Sequence, residues 1–285
     1  MKINTISPDT NNYIQILTHI AKPPKKLDYI GVLPNNRRPS VAVVGTRKPT
    51  SYGIEVTSKI TSELARHGII IISGLALGVD AIAHRSALES GGVTIAILAN
   101  GLPNIYPASN ASLGKEIILN GGAVISEYPQ HSRARPYQFL ERNRLVSGLA
   151  DAIIITEASA RSGTLNTASR ALEQGKDVFV VPGPITSPMS FGCNQLIKQG
   201  ASPLTSSRDI IELLMPSDSK QQTSLPLGDT PLEDSIIKLF SDGIRDGDEI
   251  RNKLSVSAAE LSQALTMLEI NGIIRSLGAN QWTLA

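Results

Sequence analysis

The sequence predicts an α/β fold: a doubly wound, mostly parallel sheet followed by a small module with a winged-helix outline. Three observations lead there. Six short runs rich in β-branched residues are apolar at successive positions, which suits strands covered on both faces. They alternate with amphipathic stretches of helical length, most of them closed by glycine. After a polar segment of little periodicity, the pattern changes to three helices and a hairpin. A chain of 285 residues, 41% hydrophobic and 18% charged, has enough apolar material for a large core.

The strand candidates are 41–45, 69–74, 93–99, 123–128, 151–158 and 177–183. Helix candidates fill 54–67, 79–90, 111–120, 142–150 and 165–174. Gly68, Gly91, Gly121 and Gly175 stand just past four of these, where a left-handed residue ends a helix. Two further helices, 194–199 and 208–215, complete the large domain. Ahead of the first strand, residues 12–20 have the pattern of a short helix. KPPKK at 22–26 must be extended or turned, because proline fixes its own φ and restrains its predecessor. The chain therefore divides into a short extension (1–39), a large domain (40–215), a linker (216–230) and a small domain (231–285). In the last, helices are expected at 232–240, 246–253 and 258–271, and hairpin strands at 273–276 and 281–284, turned at 278–280.

Charge is unevenly shared. Beyond residue 230 there are five basic and eight acidic residues, a net −3, which leaves +5 on the first 230 residues of a chain with net charge +2. The small domain carries Glu260 and Glu269 where a winged helix would meet DNA, and phosphate contacts need Lys or Arg. A DNA contact, a protein contact and plain stabilisation all stay open for it. The single cysteine, Cys193, excludes an internal disulfide and a Cys-rich zinc site. No apolar run reaches signal-peptide or membrane-span length, so a cytoplasmic protein without a membrane partner is expected.

In a doubly wound sheet, ligands bind at the carboxyl ends of the strands. Three loops there hold candidate chemistry. GTRKPTSYG (45–53) offers a tight turn at Gly45, then Thr46, Arg47 and Lys48 ahead of a helix whose amides face any anion above them. It is neither G-x-G-x-x-G nor a P-loop, which argues against dinucleotide chemistry and ATP hydrolysis. SGLALGVDAIAH (73–84) sets Gly74 and Gly78 around another strand-to-helix turn. Asp80 and His84, four residues apart, either form an acid–base pair or serve the helix start and its packing. With four histidines and no G-x-S-x-G or H-E-x-x-H pattern, neither a hydrolytic triad nor a zinc site is expected, and no cofactor is implied.

The third stretch is the most informative. Arg142, Asn143 and Arg144 surround an expected helix start, with Arg133, Arg135, Tyr137 and Phe139 just upstream. Guanidinium groups suit phosphates, and flat aromatic faces suit bases. Ser162, Gly163 and Thr164 open the next helix and make a second anion site. The nucleic-acid-binding candidates are thus Gly45, Thr46, Arg47, Gly74, Arg135, Phe139, Arg142, Asn143, Arg144, Ser162, Gly163 and Thr164.

At this point the chain resembles the DNA-processing protein A family. The resemblance covers about residues 22–215 and rests on VAVVGTRKPTSYG (41–53), ISGLALGVDAIAHRSAL (72–88), GLPNIYPASN (101–110) and ISEYP (125–129). RNRLVSGLADAIIITEA (142–158), RSGTLNTASRALEQGKDVFVVPG (161–183) and GCNQLIKQGA (192–201) add to it. It implies a Rossmann-like homodimer that binds single-stranded DNA, protects it and loads a RecA-type recombinase, notably in natural transformation. Carried over by position, the family's DNA pocket would comprise Gly45, Arg47, Phe139, Arg142, Asn143 and Ser162 to Thr164. Leu140 stands where a proline is usual. Longer members carry a helical N-terminal domain that the about 40 residues ahead of the first strand cannot hold intact.

A rival reading is an enzyme: the phosphoribohydrolases that cleave nucleoside monophosphates share a related core and a Gly-Thr pocket followed by a catalytic glutamate. Here Asn166 and Thr167 occupy that region, and neither Glu127 nor Glu157 is placed by the sequence beside a glycosidic bond. A third reading, a recombinase-contacting scaffold with incidental DNA affinity, differs in where mutation would abolish function. The sequence favours a DNA-holding protein that is not an enzyme.

Overall fold

The computed structural model describes residues 2–215, 230–278 and 280–284. They form two compact units, one within 2–215 and one within 230–284. Apart from Thr230, the linker expected over 216–230 lies outside the described residues.

In the first unit, β1 (Asn4–Ile6) and β2 (Leu27–Gly31) precede β3 (Ser40–Val44), the first strand the sequence predicts. Then come α1 (Ser51–Arg66), β4 (Ile70–Ser73), α2 (Val79–Glu89), β5 (Thr94–Leu98), α3 (Ala111–Leu119) and β6 (Ala123–Ser126). The chain continues through α4 (Pro136–Leu149), β7 (Ala152–Ile155), α5 (Thr164–Glu173) and β8 (Asp177–Val180). It closes with α6 (Phe191–Lys198), β9 (Ser202–Pro203) and α7 (Arg208–Leu214). All six expected strands form, five inside their predicted runs and β3 starting one residue ahead of its own, and Gly68, Gly91, Gly121 and Gly175 all take positive φ, between 67° and 81°.

The nine strands lie in the order β1-β2-β6-β5-β4-β3-β7-β8-β9. From β6 to β9 neighbours run parallel, and β1 and β2 add an antiparallel edge. The chain steps outward from β3 to β6, then crosses back to lay β7 on the other flank of β3. Connections therefore diverge above the carboxyl ends of β3 and β7, which opens a crevice there.

Alternate residues of each central strand enter opposite layers. Ala42, Val44, Ile70, Ile72, Ile153 and Ile155 pack with Leu145 and Leu149 of α4, Ala168 of α5 and Leu196 of α6. Val41, Val43, Ile71 and Ile154 pack with Leu64 of α1 and Val79 and Ala83 of α2. Both faces are apolar because both are covered, which is why these runs show no polar alternation.

Two departures from the sequence reading matter. The N-terminal extension contributes β1 and β2 to the sheet: β2 pairs with β6 from Asp28↔Ser126 to Gly31↔Ala123, and Tyr13, Ile14 and Leu17 are buried with α4. In place of a helix over 12–20 there is a turn of 3₁₀ helix, Gln15–His19. The segment is locked down by polar contacts too. Tyr13 Oη lies 2.9 Å from Ser40 Oγ, and Arg37, 5.2 Å from the Tyr13 ring, is paired with Asp151 at 2.5 Å. Secondly, α4 begins six residues before the expected start at 142. Pro136 occupies its first position, where a fixed φ and a missing N–H are harmless, and Gln138 Oε1 accepts the Arg135 N–H at 2.6 Å. Arg142 and Arg144 therefore sit inside the helix, not at its start.

The second unit comprises α8 (Pro231–Ser241), α9 (Gly247–Leu254), α10 (Ala258–Ile270) and the hairpin β10 (Ile274–Gly278) with β11 (Gln281–Leu284). Ile236, Phe240, Ile250, Leu261, Leu265, Leu268 and Ile274 form its core. This is a winged-helix arrangement.

The N-terminal segment stabilises the sheet by burial, so its core side chains should behave as interior ones. Leu17→Ala is expected to cost about 2–5 kcal/mol, read as a lowered midpoint in denaturant unfolding. A change typical of a surface site, within about 0.5 kcal/mol, would show that the segment is peripheral.

Candidate nucleic-acid interface

A cavity of about 420 Å³ lies at the carboxyl ends of β3 and β7, where the connections part. β3 runs out into Gly45, Thr46 and Arg47. The turn after β7 and the start of α5 supply Ser159, Ser162, Gly163 and Thr164, while α4 supplies Phe139, Arg142 and Asn143.

Glu157 fixes the first loop. Its carbonyl accepts the Thr46 N–H at 2.8 Å, and its buried carboxylate accepts the Thr50 N–H at 2.8 Å and the Thr50 hydroxyl at 2.7 Å. That carboxylate also sits at the N-terminus of α1, where negative charge is stabilised. The second loop is joined to the first by Thr164 Oγ1, which donates to the Gly45 carbonyl at 2.8 Å. The loop before α2 closes on both: Val79 N–H donates to the Thr46 carbonyl at 3.1 Å, and a Cβ on Gly78 (φ 76°) would overlap that same carbonyl oxygen.

Three arginines meet three different fates. Arg47 is exposed, and its guanidinium lies over the Phe139 ring, 5.3 Å from the centroid. Arg142 is 4% exposed, and its Nη1 donates to the Gly74 carbonyl at 2.6 Å and to the Ile97 carbonyl, tying together the ends of β4 and β5. Arg144 grips Glu127 with Nη2 at 2.6 and 2.7 Å from the two carboxylate oxygens. Residues two apart in sequence point roughly 200° apart on a helix, so Arg142 and Arg144 cannot serve one site.

Asp80 is buried beside Arg142 and accepts the N–H groups of Gly74 at 3.1 Å and Ala76 at 3.3 Å. Burial pushes the Asp80 carboxyl above its ordinary range and the Arg142 guanidinium below its own, and their mutual attraction opposes both shifts. His84 is engaged by β5. Its Nδ1 lies 2.7 Å from the Thr94 hydroxyl, which itself donates to the Ile71 carbonyl, so His84 is the donor. Burial, helped by Arg142, holds its imidazole down at about 3.

Of the twelve candidates, nine line the cavity: Gly45, Thr46, Arg47, Phe139, Arg142, Asn143, Ser162, Gly163 and Thr164. Three do not. Gly74 stands behind Arg142, where a Cβ would overlap the guanidinium. Arg144 is spent on Glu127, and Arg135 is exposed at the start of α4. Tyr137, also read as a stacking face, is exposed and lies roughly 200° round the helix from Phe139. Sequence reasoning missed Ser159 and Thr167 of the lining and the bracing role of Glu157. The available signal was an acidic residue closing a fully apolar strand opposite a Thr-x-x-Gly helix start. Asn166, in the region where the rival reading needs a carboxylate, makes a long 3.5 Å contact with Asn143 Nδ2.

Residues 4–215 match the family model for DNA recombination-mediator protein A, and residues 220–280 match that for the DprA winged helix domain. The chain is 45% identical over 174 residues to Protein Smf of Escherichia coli, covering 61% of this chain and 46% of that protein. It is 38% identical over 215 residues to the DNA processing protein DprA of Bacillus subtilis, covering 74% and 71%. The chain thus spans under half the length of the first relative and about seven-tenths of the second. Two solved structures share its fold at a TM-score of 0.67. One is DNA processing protein A from Streptococcus pneumoniae, at 36% identity over 75% of each chain. The other is that of Helicobacter pylori, described for its single-stranded DNA binding mode, at 34% identity over 76% of this chain and 97% of that one.

The buried imidazole predicts a pH dependence. His84 is held well below its unfolded value of 6.5, so the folded state binds fewer protons than the unfolded one as pH falls. Its contribution is present above pH 6.5 and lost below it, at roughly 1.4 kcal/mol per pH unit. Denaturant unfolding between pH 7.5 and 5 should show that loss, and His84→Gln should flatten the profile. Equal slopes in wild type and variant would show that His84 is not the group responsible.

Proposed function

The chain belongs to the DNA recombination-mediator protein A family, and we propose that its cavity at the β3–β7 edge holds single-stranded DNA. The observation that carries this reading is the Arg47–Phe139 pair at a cavity bordered by the start of α5. A guanidinium with no acidic partner among the described residues answers a phosphate, a ring answers a base, and the first amides of a helix favour an anion. A cavity of about 420 Å³ is of small-molecule size, which suits an unpaired nucleotide.

The reading extends to a mediator that protects the strand and passes it to a RecA-type recombinase, acting as a homodimer, as in natural transformation. The family's description as a recombination mediator supports the recombinase, and the single-stranded DNA binding mode of the Helicobacter pylori relative supports the strand. The chemistry of the lining favours holding over cutting. Asp80, the acidic residue there, is occupied by two backbone N–H groups, and Thr167 and Asn166 follow the Gly-Thr turn.

Fluorescence anisotropy with a labelled oligonucleotide tests the assignment. Arg47→Ala should weaken single-strand binding by about tenfold or more, the effect of removing a charged hydrogen bond. It should also reduce the salt slope by about 0.7 for each phosphate that is no longer neutralised. Arg144→Ala, which removes a guanidinium already paired with Glu127, should change affinity less than about threefold while lowering stability. Equal affinities for wild type and Arg47→Ala would remove the cavity from the function.

A further inference from the structure

Phe139 has a second neighbour besides Arg47, and this one is aromatic. Tyr106, on the loop between β5 and α3, places its ring centroid 5.9 Å from that of Phe139, with the planes inclined at 59°. Tyr106 is 53% exposed. The backbone that carries it is nevertheless braced. Asn100 Nδ2 donates to the Asn104 carbonyl at 2.7 Å, Asn110 Nδ2 to the Leu75 carbonyl at 3.0 Å, and His131 N–H to the Leu102 carbonyl at 2.8 Å. Leu102 is buried and Ile105 packs into the core beneath α3. A rigid loop thus holds an apolar ring in water, forgoing the roughly 25 cal/mol per Å² that burial would return. In a chain with 4% aromatic residues that arrangement calls for a ligand.

We propose that Tyr106 is a second base-stacking platform continuous with Phe139, and that the angle between the two rings selects single strands over duplex. The proposal rests on the reading of the cavity as a single-stranded DNA site. A base stacks parallel to the ring it covers. Bases on Tyr106 and Phe139 are therefore inclined to each other by the same 59° as the rings. Successive bases in a duplex are parallel and stacked, so a duplex cannot satisfy both rings. A single strand, whose bases splay freely, can. The strand accordingly leaves the cavity past Phe139, with Arg47 beside it for a phosphate, and rests its next base on Tyr106.

The test uses the full chain and three probes of equal length: labelled oligothymidine, its duplex with oligoadenosine, and an abasic strand. Tyr106→Ala should weaken single-strand binding on the order of 5- to 100-fold, the effect of removing one stacked base. Duplex affinity should change less than about twofold, so the preference for single strands narrows. Tyr106→Phe, which keeps the ring, should retain wild-type binding. The penalty for removing the bases should be smaller in Tyr106→Ala than in wild type, because deleting the ring and deleting the base abolish one and the same stack. Undiminished single-strand binding by Tyr106→Ala, with Arg47→Ala still defective, overturns the proposal and leaves the cavity assignment standing. An equal loss on abasic and thymidine strands also overturns it, since the ring would then act by supporting Phe139. An equal loss on single strand and duplex overturns the selectivity. If both Arg47→Ala and Tyr106→Ala bind normally, the cavity reading falls and this proposal with it.

Discussion

The buried guanidinium of Arg142 is the constraint on which the interface depends. A charge taken out of water is costly unless its hydrogen-bonding atoms find partners, and stripping a partner from a buried ion pair costs about 3–5 kcal/mol. Arg142 meets this demand in part: Nη1 donates to the carbonyls of Gly74 and Ile97, the nearby Asp80 balances the charge, and Nε stays buried without a hydrogen-bond partner. Those groups sit at the ends of β4 and β5 and in the first turn of α2, so α4 is clamped across strands it does not adjoin in sequence. Once that register is set, neighbouring positions on the helix have no freedom left. Phe139, three residues earlier, and Asn143, the next residue, are delivered to the cavity. Gly74 serves the same end from below, because any side chain there would occupy the guanidinium's place.

This division of labour changes what the net charge means. The +5 of the first 230 residues counts Arg142 and Arg144 as if they faced solvent. One is consumed in bracing strand ends and the other in a close pair with Glu127. The positive potential at the cavity comes instead from Arg47 and from the amides that begin α5. A side-chain cation over a ring and a fixed helix terminus are complementary. The first adapts to the backbone of a strand, and the second needs no rearrangement when an anion arrives.

Much of the fold was legible because both faces of the sheet are covered. β3 to β8 are apolar but for one polar residue at an end of five of them (Ser40, Ser73, Thr94, Ser126 and Asp177), and runs of that kind carry their own boundaries when glycine follows the next helix. β2 was not legible, since Leu27–Gly31 mixes Asp28 and Tyr29 into a strand that only pairing with β1 and β6 makes regular. The candidate residues were legible as a set of loops at one sheet edge, and nine of the twelve line one cavity. What sequence could not convey was orientation. The start of α4 depends on the Pro136 and Gln138 cap, and shifting it by six residues turns Arg142 inward and Arg144 toward Glu127. A residue type that suits phosphate is equally suited to bracing carbonyls, and only the helix phase separates the two uses.

The acidity of the second unit has a local cause. Acidic residues occupy the first turn of each helix: Glu233 and Asp234 in α8, Asp248 and Glu249 in α9, Glu260 in α10. There they oppose the positive end of the helix dipole. Asp246 accepts the N–H groups of Asp248 and Glu249, and Ser257 and Glu260 cap α10 reciprocally. The negative charge is thus a folding signal, and it does not of itself argue for or against a partner. The composition of α10 does. Its thirteen residues include no Lys or Arg, so the helix that enters a groove in DNA-binding winged helices has no side-chain cation to offer a phosphate. On the proposed reading a polyanion would meet the first unit, where Arg47 has no acidic partner among the described residues, Phe139 and Tyr106 are presented, and the strand ends are braced by a charge that never reaches the surface.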